Sequence, residues 1–219
     1  MTASPPYVPG SAATSAVPAR RRGISSLRER AQAFHHYAGS RDLAPLAAGQ
    51  DPCALFITCA DSRIIPTMIT AASPGELFEL RTAGNVVPPY RLEHPSGEAA
   101  TIEYAVAVLG VPHVIVCGHS HCGAVSAATR RTDLSAAPMV ARWLAQTIRE
   151  TTVSCGAGPR PLVDATQRHV LAQLEMLRTY PAIRDRLDGG RLRLHGWFYE
   201  IETGAMHAHQ PGTGHFLPL

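Results

Sequence analysis

The chain has 219 residues, of which 45% are hydrophobic, 17% charged and 6% aromatic. This is the size and composition of one large globular domain, or of one domain with an arm, and it excludes a disordered or fibrous chain. No apolar run approaches the roughly 18 to 20 residues of a membrane-spanning helix, and a net charge of +3 without a basic, aromatic-rich block argues against nucleic-acid binding.

The beginning of the chain predicts a tail followed by a helix. Residues 1–24 consist mostly of Pro, Ala, Ser, Thr and Gly and predict a flexible tail. Apolar residues from Leu27 to Tyr37 recur at helical spacing and predict an amphipathic helix over residues 25–37. Residues 25–219 are predicted to form a single domain.

The rest of the chain predicts alternating strands and helices. Short apolar segments predict strands at residues 54–59, 76–81 and 114–118. Helical patterns cover residues 97–109, 138–152 and 162–179, and a terminal β-hairpin is predicted for residues 195–201 and 205–209. This order predicts an α/β fold: a mainly parallel central β-sheet flanked by helices, with an N-terminal helical arm and a C-terminal β-hairpin.

The number of cysteines argues against a disulfide framework. The chain has five, which is an odd number, and no secretory signal is recognisable. The arginines at positions 20–22 are not followed by the apolar segment of an export signal. We therefore expect a cytoplasmic protein whose cysteines are free, metal-bound or catalytic.

Two short motifs follow predicted strands at their carboxyl ends, where parallel sheets bind ligands. The first is Cys59-Ala-Asp-Ser-Arg63 and the second is His119-Ser-His-Cys122-Gly. A catalytic zinc site takes thiolate and imidazole ligands in tetrahedral geometry and leaves one position open. Cys59, His119 and Cys122 meet that description if they converge from neighbouring strand ends. The spacing of His119 and Cys122 also suits the first turn of a helix, where backbone N–H groups stabilise a thiolate.

Other residues of the same types are interpreted as structural. His121 adjoins Cys122 but would point to a different side of the turn, so it is not counted as a ligand. Asp61 and Arg63 could form a structural ion pair, although their closeness to Cys59 in the sequence favours a role in the site. We interpret Cys53, Cys117 and Cys155 as small core residues. His207, His209 and His215 could form a weak metal site, but we interpret them as surface residues.

The two motifs, together and in this order, resemble those of the β-class carbonic anhydrases. The resemblance runs from about Gln50 to the C-terminus. It includes the segments Pro74-Gly-Glu-Leu-Phe78, Arg81-Thr-Ala-Gly-Asn85 and His195-Gly-Trp197. Within that class the chain looks most like the plant and cyanate-operon bacterial branch.

The resemblance implies a metal centre and a reaction. Cys59, His119 and Cys122 would bind one Zn²⁺ per chain, with water or hydroxide as the fourth ligand. Hydroxide made available near neutral pH would attack CO2 and give bicarbonate and a proton. Asp61 would accept a hydrogen bond from the bound solvent, and Arg63 would hold Asp61 away from the metal, a task that suits its planar, permanently charged fork.

The resemblance also implies a substrate pocket and an assembly. Phe78 and Tyr104 would form apolar walls for CO2, with Ala83 beside them, and the Gly123 N–H would lie near a substrate oxygen. Gln50 would reach the site of a neighbouring subunit, so the expected assembly is a homodimer or a dimer of dimers.

An open resting state is expected for the metal centre. Some allosteric bacterial members of the class close their site when the aspartate moves onto the metal, and bicarbonate stabilises that form in a pocket that uses a tryptophan. This chain has Phe56 at that position, and Phe56 has no N–H to donate to a bound anion. We therefore expect Asp61 to pair with Arg63.

Two alternatives use the same residues. One is a zinc enzyme of the same scaffold that acts on carbon disulfide or carbonyl sulfide. The other is a non-catalytic, zinc-stabilised binding or redox-sensing domain. The second alternative predicts a closed site with four protein ligands and has no need of the Asp61–Arg63 pair.

Overall fold

The computed structural model describes residues 23–38, 43–147 and 159–219. The chain divides into two units, residues 1–50 and residues 51–219. In the first unit, α1 (Ile24–Ala38) and a short 3-10 helix (Ala44–Ala48) are described. The helix predicted at residues 25–37 is thus confirmed. Residues 1–22 lie outside the described part, and the predicted boundary between tail and domain stays a prediction.

A six-stranded sheet is the centre of the second unit. Its strands are β1 (Ala54–Cys59), β2 (Leu77–Thr82), β3 (His113–His119), β4 (Arg193–Tyr199), β5 (Met206–Gln210) and β6 (His215–Pro218). The strand order is β2-β1-β3-β4-β5-β6. The first four strands of this order are parallel, and β5 and β6 are antiparallel. The predicted α/β class, parallel sheet and terminal hairpin are confirmed, and β6 adds a strand that the sequence analysis did not predict.

Helices connect the parallel strands. They are α2 (Pro66–Thr70), α3 (Gly97–Glu103), α4 (Gly123–Thr129), α5 (Pro138–Thr147), α6 (Pro159–Arg178) and α7 (Pro181–Asp188). The helix predicted over residues 97–109 continues from α3 as a π-helical turn, Tyr104–Val108. Residues 148–152 of another predicted helix lie outside the described residues. α2 and α7 were not predicted, because at five and eight residues each is too short for a helical pattern to stand out.

The two faces of the sheet carry different cores because alternate residues of a strand point to opposite faces. On one face, Val114 and Val116 of β3 pack in a cluster with Val170 and Leu174 of α6. On the other, Ala54 and Phe56 of β1 pack in a cluster with Ile115 and Cys117 of β3. No described helix is long and apolar enough to cross a membrane.

A glycine near the end of β3 lets α6 approach the sheet closely. A Cβ atom added at Gly118 would lie 2.7 Å from Val170 Cγ2 and 2.9 Å from Thr166 Cγ2, closer than real Cβ contacts. Any larger residue would therefore push α6 away from the strand. This contact is next to His119, the last residue of β3.

Strand pairing brings the two sequence motifs to one edge of the sheet. The parallel pairing of β1 with β3 aligns Thr58 with Cys117. Cys59, which ends β1, therefore lies beside the end of β3. Cys122 follows three residues after His119, at the N-cap of α4.

Candidate metal centre

Three side chains converge at this edge of the sheet. One potential ligand atom from each of Cys59, His119 and Cys122 lies within 4.8 Å of the other two, and all three residues are buried. Among the described residues these three form the only such group of histidines, cysteines and carboxylates. His207, His209 and His215 therefore do not form a three-ligand site.

His119 is oriented with one ring nitrogen toward a partner and the other without one. Its Nδ1 lies 2.8 Å from the Ser120 carbonyl oxygen, so Nδ1–H donates and Nε2 keeps its lone pair. Nε2 is buried and has no hydrogen-bond partner. An unpartnered imidazole nitrogen beside two thiols suits a borderline-soft cation, and Zn²⁺ takes this donor set. The residues present therefore fit a zinc ion.

The two thiols share hydrogen-bond and charge interactions that favour a thiolate. A hydrogen bond from Cys122 lowers the pKa of Cys59, against the opposing effect of burial, and the Gly84 N–H lowers it further. The Gly84 nitrogen is 3.4 Å from Cys59 Sγ. The pKa of Cys122 is raised, because its hydrogen bond to Cys59 and its burial both favour the thiol. A dication that replaces the shared proton would find both sulfurs as thiolates.

Asp61 is held by Arg63 next to the three converging groups. Arg63 Nε donates to Asp61 Oδ1 at 2.9 Å, and a terminal nitrogen donates to Oδ2 at 2.7 Å. The Arg63 backbone N–H also donates to Oδ1, at 3.0 Å. The Arg63 guanidinium holds the pKa of Asp61 well below its usual range. Asp61 Oδ2 is 4.0 Å from His119 Nε2, so the expected Asp61–Arg63 pair is present beside the centre.

Arg81 orders the loop that follows Cys59. One of its terminal nitrogens donates to the carbonyl oxygens of Asp61 at 2.8 Å and Ile64 at 2.6 Å. A charged donor to two carbonyl groups makes strong hydrogen bonds. The backbone that carries Asp61 is therefore held from the neighbouring strand β2.

Glu202, which the sequence analysis missed, binds both residues between His119 and Cys122. Ser120 Oγ donates to Glu202 Oε2 at 2.7 Å, and the His121 ring pairs with Glu202 Oε1. The pKa of Glu202 is lowered to about 2, mainly by the hydrogen bond from the Ser120 hydroxyl and to a smaller extent by His121. His121 is thus directed to Glu202 and is not one of the three converging groups.

A buried hydrogen-bond chain from α6 also reaches the centre. His169 Nε2 is 2.7 Å from the Gly84 carbonyl oxygen, and Gln173 Nε2 is 3.3 Å from His169 Nδ1. Gln173 Oε1 accepts from the Val87 N–H at 2.7 Å. Burial lowers the pKa of His169, so a neutral ring donates to Gly84, whose own N–H donates to Cys59. The sequence shows only that His169 and Gln173 are four residues apart on one helix.

The residues predicted to bind the substrate differ in their surroundings. Phe78 and Tyr104 stack on each other, with ring centroids 5.9 Å apart. Ala83 is exposed, and its carbonyl oxygen accepts from Trp143 Nε1 at 2.9 Å. Gly123 is exposed as the first residue of α4, and Gln50 is exposed in the first unit.

The remaining cysteines differ in their surroundings. Cys117 is fully buried, and burial raises the pKa of its thiol to about 12. Cys53 is exposed rather than part of the core, because it precedes β1 and its thiol donates to the Glu76 carbonyl oxygen at 3.1 Å. The interpretation of Cys53 as a core residue was wrong. Cys155 lies outside the described residues.

Comparisons with known proteins agree on one family. A family model described as carbonic anhydrase matches residues 54–206. A carbonic anhydrase of Pseudomonas aeruginosa is 46% identical over 178 residues, which cover 80% of this chain and 80% of that protein. The structure of the β-carbonic anhydrase CcaA has a TM-score of 0.85 and 38% identity, and the match covers 90% of this chain and 99% of that one.

One further solved structure bears on the class. It is one of two tetrameric β-carbonic anhydrases from Sordaria macrospora, with a TM-score of 0.72 and 30% identity over 84% of this chain and 95% of that one. The finer resemblance to the plant and cyanate-operon bacterial branch stays a prediction. The matched family, the relative and the two structures together show that this chain belongs to the carbonic anhydrases and to their β class.

Proposed function

We propose that the chain catalyses the reversible hydration of CO2 to bicarbonate and a proton, with one Zn²⁺ held by Cys59, His119 and Cys122. The observation that carries this proposal is the buried, unpartnered Nε2 of His119 beside two thiols, with Asp61 anchored next to them. When bound, Zn²⁺ lowers the pKa of a coordinated water to about 7 and so supplies a nucleophile near neutral pH.

The number of protein ligands supports a catalytic rather than a structural metal. Structural zinc sites are closed by four protein ligands, whereas catalytic sites have three. Among the described residues the group has three members, and the nearby carboxylate of Asp61 is bound by Arg63. This arrangement favours the enzyme over a zinc-stabilised binding or redox-sensing domain.

Asp61 and Arg63 would orient the nucleophile. Because its pKa is far below the usual range, Asp61 is a carboxylate at neutral pH and can only accept hydrogen bonds. Arg63 grips both of its oxygens and also donates to the His121 carbonyl oxygen at 3.2 Å. The carboxylate is thus fixed relative to the loop between His119 and Cys122. An O–H group that donates to this carboxylate would turn its hydrogen toward Asp61 and away from the substrate.

Phe78, Ala83, Tyr104 and Gly123 are proposed to contact the substrate. The stacked rings of Phe78 and Tyr104 offer an apolar surface, which suits CO2. Gly123 begins α4, and the first N–H groups of a helix have no partner within the helix. The Gly123 N–H is therefore available to a developing negative charge on a substrate oxygen.

A homodimer or a dimer of dimers is the proposed assembly. α1 exposes Leu27 and Phe34 at 53% and 61% of their surface, and such apolar residues favour a protein partner. The solved relatives from Sordaria macrospora are tetrameric. Gln50 of each chain is proposed to approach the partner's metal centre.

A cytoplasmic location is also proposed. The four cysteines of the described residues are all free thiols. Free thiols are typical of proteins in a reducing compartment.

The first prediction concerns the metal ligands. We expect Cys59→Ser, His119→Ala and Cys122→Ser each to lose most of the zinc that the purified, desalted protein retains, because each removes one of three ligands. His121→Ala and Cys53→Ser are the matched controls and should keep one zinc per chain. Metal analysis measures this, and zinc loss in His121→Ala equal to that of the ligand variants would refute the assignment.

The second prediction separates zinc binding from catalysis. Asp61→Asn should keep its zinc and its fold but lose roughly 10²- to 10⁴-fold in CO2 hydration rate, the range typical of lost acid–base assistance. The amide cannot replace both acceptor oxygens that face Arg63. Asp133→Asn, at an exposed carboxylate bound by Ser135, is the control. Stopped-flow hydration assays on zinc-replete protein decide the matter, and wild-type rates in Asp61→Asn would remove Asp61 from the mechanism.

The third prediction tests the hydrogen-bond chain from α6. His169→Leu removes the donor to the Gly84 carbonyl group and should weaken zinc binding by about 10- to 100-fold, as is usual for residues that orient metal ligands. His169→Gln keeps an N–H donor and should recover most of the affinity. Chelator competition on folded protein measures both variants. Unchanged affinity in His169→Leu would show that the chain only packs the core.

The fourth prediction concerns assembly. Deleting residues 1–40, which removes α1, should shift the protein toward monomer at micromolar concentration and lower its activity. Deleting residues 1–22 alone is the control and should leave the assembly intact. Size-exclusion chromatography with light scattering gives the mass, and a fully active monomer after the longer deletion would contradict the proposed interface.

A further inference from the structure

A pair of histidines lies at the opposite end of the sheet from the proposed metal centre. His113 is the first residue of β3, and His195 lies near the start of β4. Both border a cavity of about 360 Å³ that is also lined by Cys53, Glu76 and Trp197. β3 ends at His119, six residues after His113, so at about 3.3 Å per residue the two sites are roughly 20 Å apart.

The two imidazole rings of this group face each other through nitrogen atoms. The parallel register pairs His195 with Ile115, so His113 and His195 are diagonal neighbours on adjacent strands. His195 Nε2 is 3.2 Å from His113 Nδ1, and the ring planes make an angle of 65°. Two histidine nitrogens bound to one ion at about 2.0–2.1 Å, with angles between 90° and 110°, lie about 2.8–3.4 Å apart. The observed separation falls within that range.

The surroundings of His195 favour a neutral ring. Burial, then His113 and Arg193, lower the pKa of His195. A neutral imidazole has a lone pair to give to a metal, whereas a protonated one does not. The hydrogen bond between the rings needs a proton on one of the two facing nitrogens. Moving that proton to the far nitrogen of the same ring would leave both facing lone pairs available.

We propose that His113 and His195 form a second, weaker binding site for a borderline divalent metal ion of the kind that imidazole prefers, such as Ni²⁺, Cu²⁺ or Zn²⁺. The site would have two protein ligands, with water in the cavity completing the coordination. Among the described residues only the Cys59–His119–Cys122 group has three ligand atoms within 4.8 Å. The second site is therefore exchangeable, and its ion is lost on desalting while the zinc of the first site stays. An ion there would link β3 to β4 at their amino ends.

Titration of the untagged, zinc-loaded protein with Ni²⁺ tests the proposal. Isothermal calorimetry of the wild type should show one further Ni²⁺ per chain without loss of zinc. His113→Gln and His195→Gln should each weaken that binding at least tenfold. His209→Gln, whose ring packs on Phe216, is the control and should bind Ni²⁺ like the wild type. CO2 hydration by zinc-loaded His113→Gln and His195→Gln should equal that of the wild type.

Several results would overturn the proposal. One is that the wild-type protein takes up no second ion. Another is that His209→Gln weakens Ni²⁺ binding as much as His113→Gln does. A third is that His113→Gln or His195→Gln binds Ni²⁺ as well as the wild type. If one cavity variant fails to fold, the other decides. Because the measured quantity is Ni²⁺ bound in addition to retained zinc, the result is separate from the test of the proposed function.

Discussion

The parallel pairing of β1 with β3 is the interaction on which the candidate metal centre depends. It places Cys59 and His119, the last residues of those strands, at the same edge of the sheet. Cys122, the third candidate ligand, follows in the turn that leaves β3. The close approach of α6 at Gly118 supports this pairing from one face. Bulk added there would displace the helix that also carries His169.

The neighbours of the candidate ligands are held in place by hydrogen bonds from three other parts of the chain. His169 of α6 binds the Gly84 carbonyl group, Arg81 of β2 binds the loop after Cys59, and Glu202, beyond β4, binds Ser120. Such partners orient metal ligands and commonly matter almost as much as the ligands themselves. Each of them comes from a part of the chain far from the residue that it holds. The geometry of the centre is therefore a property of the whole sheet and of α6.

Arg63 and a shared proton reduce the repulsion between the acidic groups of the centre. A cluster of two thiols and an aspartate would repel one another if all were ionised. Arg63 binds the aspartate bidentately and keeps it 4.0 Å from His119 Nε2, while the two thiols share a proton through their hydrogen bond. Arg63 thus keeps Asp61, the proposed hydrogen-bond acceptor, apart from the sulfurs that are proposed to bind the metal. The open state that we expect for the site, with Asp61 paired to Arg63, requires this separation.

Much of this protein could be predicted from its sequence, because the relevant signals are local. Apolar runs of strand length predicted β1, β2 and β3, and two short motifs at strand ends contain Cys59, Asp61, Arg63, His119 and Cys122. The sequence missed α2 and α7, which are too short to show a stripe, and placed Cys53 in the core. Only the tertiary structure decided that His169, Gln173 and Glu202 hydrogen-bond around the candidate ligands and that His113 faces His195. Those contacts join residues 80 or more positions apart or on separate strands, and no local pattern of residue types encodes such a distance.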